Sequence, residues 1–106
     1  MELHEVTVPM SIKVSKQLKR PGGKYLKVEL EVIGDRIVKL KISGDFFAYP
    51  SHLLDMLEKE AAGLRAEKEG VERLLETYKG RLELVGVRFE DLKRLILEAL
   101  EETISM

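Results

Sequence analysis

Hydrophobic and polar residues alternate along the first half of the chain. The apolar positions form three groups: Val6, Val8, Met10, Ile12 and Val14; Leu26, Val28, Leu30 and Val32; and Val38, Leu40 and Ile42. A repeat of two residues is typical of β-strands with one buried face. Because Pro9 cannot donate a backbone hydrogen bond, the first strand is predicted to be an edge strand or to be broken in two. The short links at residues 21–23 and 34–35 contain glycine and predict antiparallel hairpins.

In the second half of the chain the apolar spacing changes to that of helices. Three segments follow, with apolar positions at Leu53, Leu54, Leu57, Ala61 and Leu64; at Val71, Leu74, Leu75 and Tyr78; and at Phe89, Leu92, Leu95, Ile96, Ala99 and Leu100. Ser51 is predicted to cap the first helix, which ends near Gly63. Gly80 suits a left-handed cap at the end of the second helix. Glu90 and Asp91 suit the positive end of the third helix dipole.

Three strands followed by three helices predict an α+β fold, with an antiparallel three-stranded sheet and three helices packed on one of its faces. A chain of 106 residues can form one hydrophobic core, so we expect a single domain over residues 1–106. The chain has no apolar run of 18 residues, and its start lacks the pattern of a signal peptide. We therefore expect a cytoplasmic protein that makes no membrane contact.

The net charge of -1 hides an asymmetry between the two halves. Residues 1–50 hold nine Lys/Arg and six Asp/Glu, whereas residues 51–106 hold nine and thirteen. Six cations lie in one stretch without an intervening acid: Lys13, Lys16, Lys19, Arg20, Lys24 and Lys27. This stretch predicts either a solvated sheet face or a surface that attracts phosphate, a nucleotide or an acidic protein.

The sequence lacks the residue patterns of an independent enzyme. It contains no cysteine, and neither His4 nor His52 has a nearby Cys or His with metal-ligand spacing. It has neither a glycine-rich nucleotide loop nor a nucleophile elbow. The helical carboxylates have Lys or Arg neighbours at helical spacing and are interpreted as solvated surface. We therefore expect neither a catalytic residue nor a metal ligand in this chain.

Two segments do not fit an ordinary strand or helix pattern. Residues 19–24, Lys-Arg-Pro-Gly-Gly-Lys, form a basic loop whose glycines allow close backbone approach to a phosphate or carboxylate. The alternative for this loop is a flexible hairpin turn. Residues 43–50, Ser-Gly-Asp-Phe-Phe-Ala-Tyr-Pro, concentrate aromatic residues between the last strand and the first helix. These aromatics either cover the local core or form a rigid docking corner together with Asp45.

These two segments, in this order and spacing, resemble the C-terminal domain of lipoate-protein ligases. The shared pattern is a glycine-lysine entry, an alternating strand, a hairpin and an Ile-x-Gly-Asp-Phe-Phe exit, here at residues 21–24, 25–32, 35–39 and 42–47. Residues 86–92 are similar to the turn and final helix that close the family's domain, although Arg88 and Phe89 replace the expected Thr-Pro or Ser. The resemblance covers roughly residues 15–100.

The resemblance implies a non-catalytic accessory subunit of a two-part ligase. In this family a catalytic partner uses ATP, Mg and lipoate to make lipoyl-adenylate, and then transfers lipoate to a lysine of an acceptor domain. The small domain of the split form is required chiefly for adenylation. We therefore expect a heterodimer with the catalytic subunit, an indirect relation to the lipoyl-acceptor protein, and no cofactor bound by this chain alone.

The sequence is compatible with two other functions. A small nucleic-acid-binding module would use Lys13 to Lys27 as a stripe of phosphate contacts. The slightly negative net charge and the lack of an exposed aromatic ladder argue against it. The accessory domain is also similar in fold to iron-sulfur assembly scaffolds, but this chain has no cysteine to hold a cluster.

The candidate site combines both unusual segments at one end of the predicted sheet. An antiparallel hairpin returns the chain to its starting end, so Lys24 should lie near Gly44 and Asp45. Residues predicted to contact the catalytic partner or the adenylate site are Gly22, Gly23, Lys24, Gly44, Asp45, Phe46, Phe47 and Tyr49. In this hypothesis Lys24, Asp45 and part of Phe46 or Phe47 form one surface, where Lys24 adds positive charge near the adenylate and the aromatic corner fixes the geometry. Phe47 is also expected to pack as a core aromatic.

Overall fold

The computed structural model describes residues 10–19, 21 and 24–105. Strands β1 (Ser11–Lys19), β2 (Tyr25–Ile33) and β3 (Arg36–Gly44) form an antiparallel sheet in the order β1-β2-β3. Strands β4 (Phe47–Tyr49) and β5 (Glu83–Val85) pair as a separate antiparallel ribbon. The helices are α1 (Ser51–Ala61), α2 (Lys68–Tyr78) and α3 (Phe89–Ser105).

The alternation of the central strand is reproduced in its burial. Leu26, Val28, Leu30 and Val32 are buried, while the residues between them are half-buried on the opposite face. The helices pack on the buried side, α3 against β1 and β2 and α1 against β3. The predicted α+β fold is therefore confirmed. In β1 the inward alternation begins at Ile12, because Met10 is exposed. The predicted strand positions Val6 and Val8 lie outside the described residues.

A β-bulge in β3 makes one predicted core position wrong. The register pairs Glu31 with Lys39 but Val32 with Ile37, so Val38 is an extra residue without a partner opposite it. An extra residue shifts the side-chain alternation by one position. Ile37 is therefore buried and Val38 is exposed, whereas the spacing from Leu40 had predicted Val38 to point inward.

The helical layer covers the outer edge of β3. The backbone N–H of Ile42 donates to the Glu58 carboxylate of α1, with a donor–acceptor distance of 2.7 Å. Near the other end of β3, Ile37 donates to the carbonyl of Leu64 at 2.8 Å and accepts from the N–H of Gly63 at 2.7 Å. Unpaired edge groups invite association with other strands, and these contacts satisfy several of them within the chain.

The helix ends agree in part with the ends that the sequence predicts. Pro50, preceded by a cis peptide bond, occupies the cap position of α1, and Ser51 is the first helical residue, so the predicted Ser51 cap is wrong. Gly80 follows α2 with φ +87°, which agrees with a left-handed cap. At the start of α3 the backbone N–H of Arg88 donates to Asp91 Oδ2 at 3.1 Å. Asp91 thereby supplies one half of a capping box.

Tyr78 joins two helices inside the core. Its side chain is fully buried, and its hydroxyl donates a hydrogen bond to the Glu60 carboxylate of α1. Burial and then this hydrogen bond raise the pKa of Tyr78 to about 12. The phenol therefore stays neutral at physiological pH and satisfies its one polar atom within the packed layer.

Candidate functional site

The β4–β5 ribbon turns apolar side chains toward solvent. Residues that face each other across a ribbon share a side, and here Phe47 pairs with Val85 and Tyr49 with Glu83. Phe47, Tyr49 and Val85 are 64%, 58% and 47% exposed. Their neighbours on the other side of the ribbon pack against the core. We call the surface of Phe47, Tyr49 and Val85 the ribbon face.

The ribbon face is a concentration of apolar surface. Seven large hydrophobic side chains are exposed in the described part of the chain, and three of them lie in these two short strands. Single exposed hydrophobic residues are normal in soluble proteins, but adjacent ones mark surfaces for interaction. Aromatic residues with a polar surround are the usual anchors of protein–protein interfaces.

The end of the β2–β3 hairpin lies beside the ribbon and is held by close backbone contact. Gly44 is opposite Leu26, and a Cβ atom on Gly44 would lie 2.1 Å from the carbonyl oxygen of Tyr25. Only glycine allows this approach, and its φ of +149° also favours glycine. The N–H of Asp45 then donates to the same carbonyl at 3.0 Å. Asp45 Oδ1 lies 3.5 Å from the N–H of Tyr25.

Lys24 is exposed next to this contact and reaches toward the loop that follows β5. A Cβ atom on Gly86 would lie only 2.6 Å from Lys24 Cγ, so the lysine stem lies directly over Gly86. Lys24 forms no ion pair with any described residue. A cation without an ion pair to any described residue therefore lies beside Gly86, the residue that follows Val85 of the ribbon face.

The structure brings together most of the residues predicted for the site. Lys24, Gly44 and Asp45 lie at one end of the sheet, as the hairpin predicts. Phe47 is exposed, in agreement with the predicted surface, whereas the expectation that it packs as a core aromatic is wrong. Phe46 is half-buried and packs against the core. Gly22 and Gly23 lie outside the described residues.

Sequence reasoning missed β5 and the loop after it. Val85 completes the ribbon face, and Gly86 receives the Lys24 stem. The available signal was the three-residue alternation Glu83-Leu84-Val85 followed by a glycine. A strand this short carries too few positions for its period to be recognised.

The basic stretch from Lys13 to Lys27 does not form one surface. Lys16 faces the helices, where its ammonium lies 2.5 Å from Glu102 Oε2, and this hydrogen bond raises the pKa of Lys16. The alternation of the strands places Lys13 and Lys27 on the opposite face. Glu29 and Glu31 of β2 lie on that face as well, and Glu31 accepts a hydrogen bond from Ser11. The described lysines of the stretch are therefore divided between the two faces of the sheet. Lys19, Lys39 and Lys41 also lie on the open face, next to Glu29 and Glu31. Arg20 lies outside the described residues.

The described part of the chain contains no group of three His, Cys, Asp or Glu side chains placed to hold a metal ion. His52 is exposed on α1, as a surface histidine would be, and His4 lies outside the described residues. Within the same ranges, every helix is too short or too polar to cross a membrane.

Comparison with known proteins assigns the chain to a family. The model of the family described as the bacterial lipoate protein ligase C-terminus matches residues 9–96. This chain therefore belongs to that family. It is also similar to a chain in a solved structure of an archaeal lipoylation system, a bi-partite lipoate protein ligase and its E2 lipoyl domain from Thermoplasma acidophilum. The TM-score is 0.65 with 28% sequence identity, over 86% of this chain and 97% of that one. No curated protein matched the chain.

Proposed function

We propose that this chain is the accessory subunit of a two-part lipoate-protein ligase. It forms a heterodimer with a separate catalytic subunit and is needed for the ATP-dependent activation of lipoate to lipoyl-adenylate. The catalytic subunit uses ATP, Mg and lipoate and delivers lipoate to an acceptor domain, which this chain meets only indirectly. Membership in the ligase family and similarity to a chain from a bi-partite ligase support the proposal.

The observation that carries the proposal is the ribbon face beside Lys24, a lysine without an ion pair to a described residue. Phe47, Tyr49 and Val85 give an apolar centre for a protein interface, and Asp45 and Lys24 give its polar rim. A subunit docked on the ribbon face comes into contact with Lys24 as well. The same surface therefore offers both affinity and a positive charge.

Lys24 has a role in the chemistry only when the partner is bound. Adenylation releases pyrophosphate, so negative charge develops on the phosphate oxygens, and a fixed cation nearby stabilises that charge. Docking excludes water and strengthens the interaction, because charges attract more strongly at low effective dielectric constant. An accessory subunit can thus accelerate adenylation with one lysine and without a nucleotide-binding loop of its own.

The first test is lipoate-dependent pyrophosphate exchange with a catalytic subunit. We expect exchange only when both chains are present. Exchange by this chain alone, or a full rate by the catalytic subunit without it, would contradict the accessory role.

The second test separates the charge of Lys24 from docking. Lys24→Ala is expected to lower the adenylation rate roughly tenfold, equivalent to about 1.4 kcal/mol, with little change in subunit affinity. Lys39→Ala is the matched control, because Lys39 is also exposed and without an ion pair to a described residue, but lies on the open face of the sheet. Asp45→Asn keeps the acceptor for Tyr25 N–H and removes a rim charge, so we expect a severalfold change in association rate.

Thermal melts of all three variants establish that they remain folded. If folded Lys24→Ala and Asp45→Asn proteins match the parent in both adenylation rate and subunit affinity, the site assignment is wrong.

A further inference from the structure

Gly86 differs from the other described glycines with positive φ angles, because a side chain occupies the place where its Cβ would lie; at Gly44 that place is occupied by backbone. At Gly34, Gly63 and Gly80 a Cβ atom would have no heavy atom within 4 Å, so the backbone conformation alone accounts for glycine. Gly86 has φ +106°, but the space where its Cβ would lie is already filled by the side chain of Lys24. Because Gly86 has no side chain, it also leaves room for the stem of Lys24.

The contact involves three successive carbons of the lysine stem. From the position of a Cβ on Gly86, the distances to Lys24 Cγ, Cβ and Cδ are 2.6, 3.4 and 3.4 Å. A flexible four-carbon stem normally samples many rotamers on a protein surface. Laid along a flat stretch of backbone, the stem keeps its apolar carbons covered and its ammonium in water. Gly86 provides that flat stretch.

We propose that Gly86 is a positioning residue for Lys24, which it holds beside the ribbon face. The proposal rests on the function proposed above, in which Lys24 supplies positive charge during adenylation. Val85 contributes to the ribbon face and Gly86 follows it directly, so one short segment fixes both the apolar surface and the cation. A methyl group at position 86 displaces the lysine stem and moves the ammonium away from the docked partner.

The functional test compares two glycine-to-alanine variants in the complete two-subunit ligase. Gly86→Ala should lower the adenylation rate by about the same factor as Lys24→Ala and leave subunit affinity near that of the parent. Gly80→Ala is the matched control, because Gly80 also has a positive φ, +87°, but has no heavy atom near its Cβ position. Thermal melts should show similar losses for the two alanine variants, while only Gly86→Ala loses rate.

A double variant tests whether the two residues act through each other. In the Lys24→Ala background the clash is relieved and the charge is already gone, so Gly86→Ala should cause no further loss of adenylation rate. Independent, multiplicative losses would overturn the proposal, as would a parental rate for Gly86→Ala alone while Lys24→Ala is slow.

A measurement on the free full-length chain separates this inference from the proposed function. Carbon-13 relaxation of side-chain methylenes should show Lys24 more ordered than Lys39, with the difference lost in Gly86→Ala and kept in Gly80→Ala. Equal mobility of Lys24 and Lys39 in the parent would overturn the positioning role. This comparison uses only the parent chain, so it does not depend on the folding of any variant. An ordered Lys24 together with full adenylation by Lys24→Ala would uphold the contact and reject the proposed function of the lysine.

Discussion

Each end of the β2–β3 hairpin has a glycine, an aspartate and a basic residue, but the polar groups of the two ends have different surroundings. At the turn end, Arg36 Nη1 donates to the carbonyl of Gly63 at 3.1 Å, and the N–H of Ala66 donates to the carbonyl of Asp35 at 2.8 Å. Arg65 Nη2 also lies 3.3 Å from Asp35 Oδ2. At the other end, Lys24 has no ion pair with a described residue and the ribbon face is exposed.

Under the proposed function, one end of the sheet stabilises the fold and the other end binds the catalytic subunit. The turn end uses its polar groups to fasten the sheet to the segment between α1 and α2, whereas the ribbon end leaves apolar surface and a charge available. Nine residues of β2 place the two ends roughly 30 Å apart. Substitutions at the two ends should therefore affect different properties.

The largest effect is expected from the glycines near the two ends of β3. Gly44→Ala places a Cβ 2.1 Å from a backbone oxygen of β2, so the strand itself must move, and we expect a loss of more than about 3 kcal/mol in the free energy of unfolding. Gly34→Ala meets no atom within 4 Å and should cost only the conformational strain, about 1–2 kcal/mol. Urea denaturation of both variants measures the difference.

Equal losses for the two variants would show that the close approach of Gly44 to Tyr25 is not maintained in solution. In that case the position of Asp45 next to β2 would also be wrong.

The main fold could be predicted from the sequence because each strand of the sheet is nine residues long, and because each helix repeats its apolar face over three turns or more. Periodicity identifies such elements. The β-bulge could not be predicted, since the alternation around Val38 is equally regular for either register. The cap of α1 was also missed, because Ser51 is a common cap residue and Pro50 has no side-chain acceptor.

The position of the candidate site could be predicted where chain connectivity determines it. Lys24 and Asp45 had to meet because a hairpin joins them. The pairing of Phe47 with Val85 joins residues far apart in sequence through strands of three residues each, and no local pattern encodes it. Phe47 is exposed because of that pairing. The aromatic-rich segment by itself does not show this, because it is also compatible with a core position for Phe47.

The second prediction tests the ribbon face directly. Phe47→Ser removes an exposed aromatic side chain, so the free energy of unfolding should change by less than about 0.5 kcal/mol. Affinity for the catalytic subunit should fall at least tenfold, about 1.4 kcal/mol, as expected for an aromatic anchor. Ile104→Ser is the control, because Ile104 is 56% exposed near the end of α3. Calorimetric titration with the catalytic subunit measures the affinity of both variants.

Parental affinity for Phe47→Ser, or an equal loss for Ile104→Ser, would contradict the division between the two ends. A large loss of stability for Phe47→Ser would instead mean that this side chain packs within the domain.

The smallest effect is expected at the turn end. Asp35→Asn weakens the attraction to Arg65 at 3.3 Å and to Arg36 at 3.9 Å, but all three side chains are mostly exposed. Exposed ion pairs contribute up to about 1 kcal/mol, and salt screens them over about 10 Å at 0.1 M ionic strength. We therefore expect a loss of roughly 0.5 kcal/mol at low salt that fades as salt is raised, with adenylation at the parental rate. Unfolding measured at several salt concentrations, beside pyrophosphate exchange, tests both parts. Slow adenylation by the two-subunit ligase that contains Asp35→Asn, at normal stability of the variant, would show that the turn end also takes part in activation.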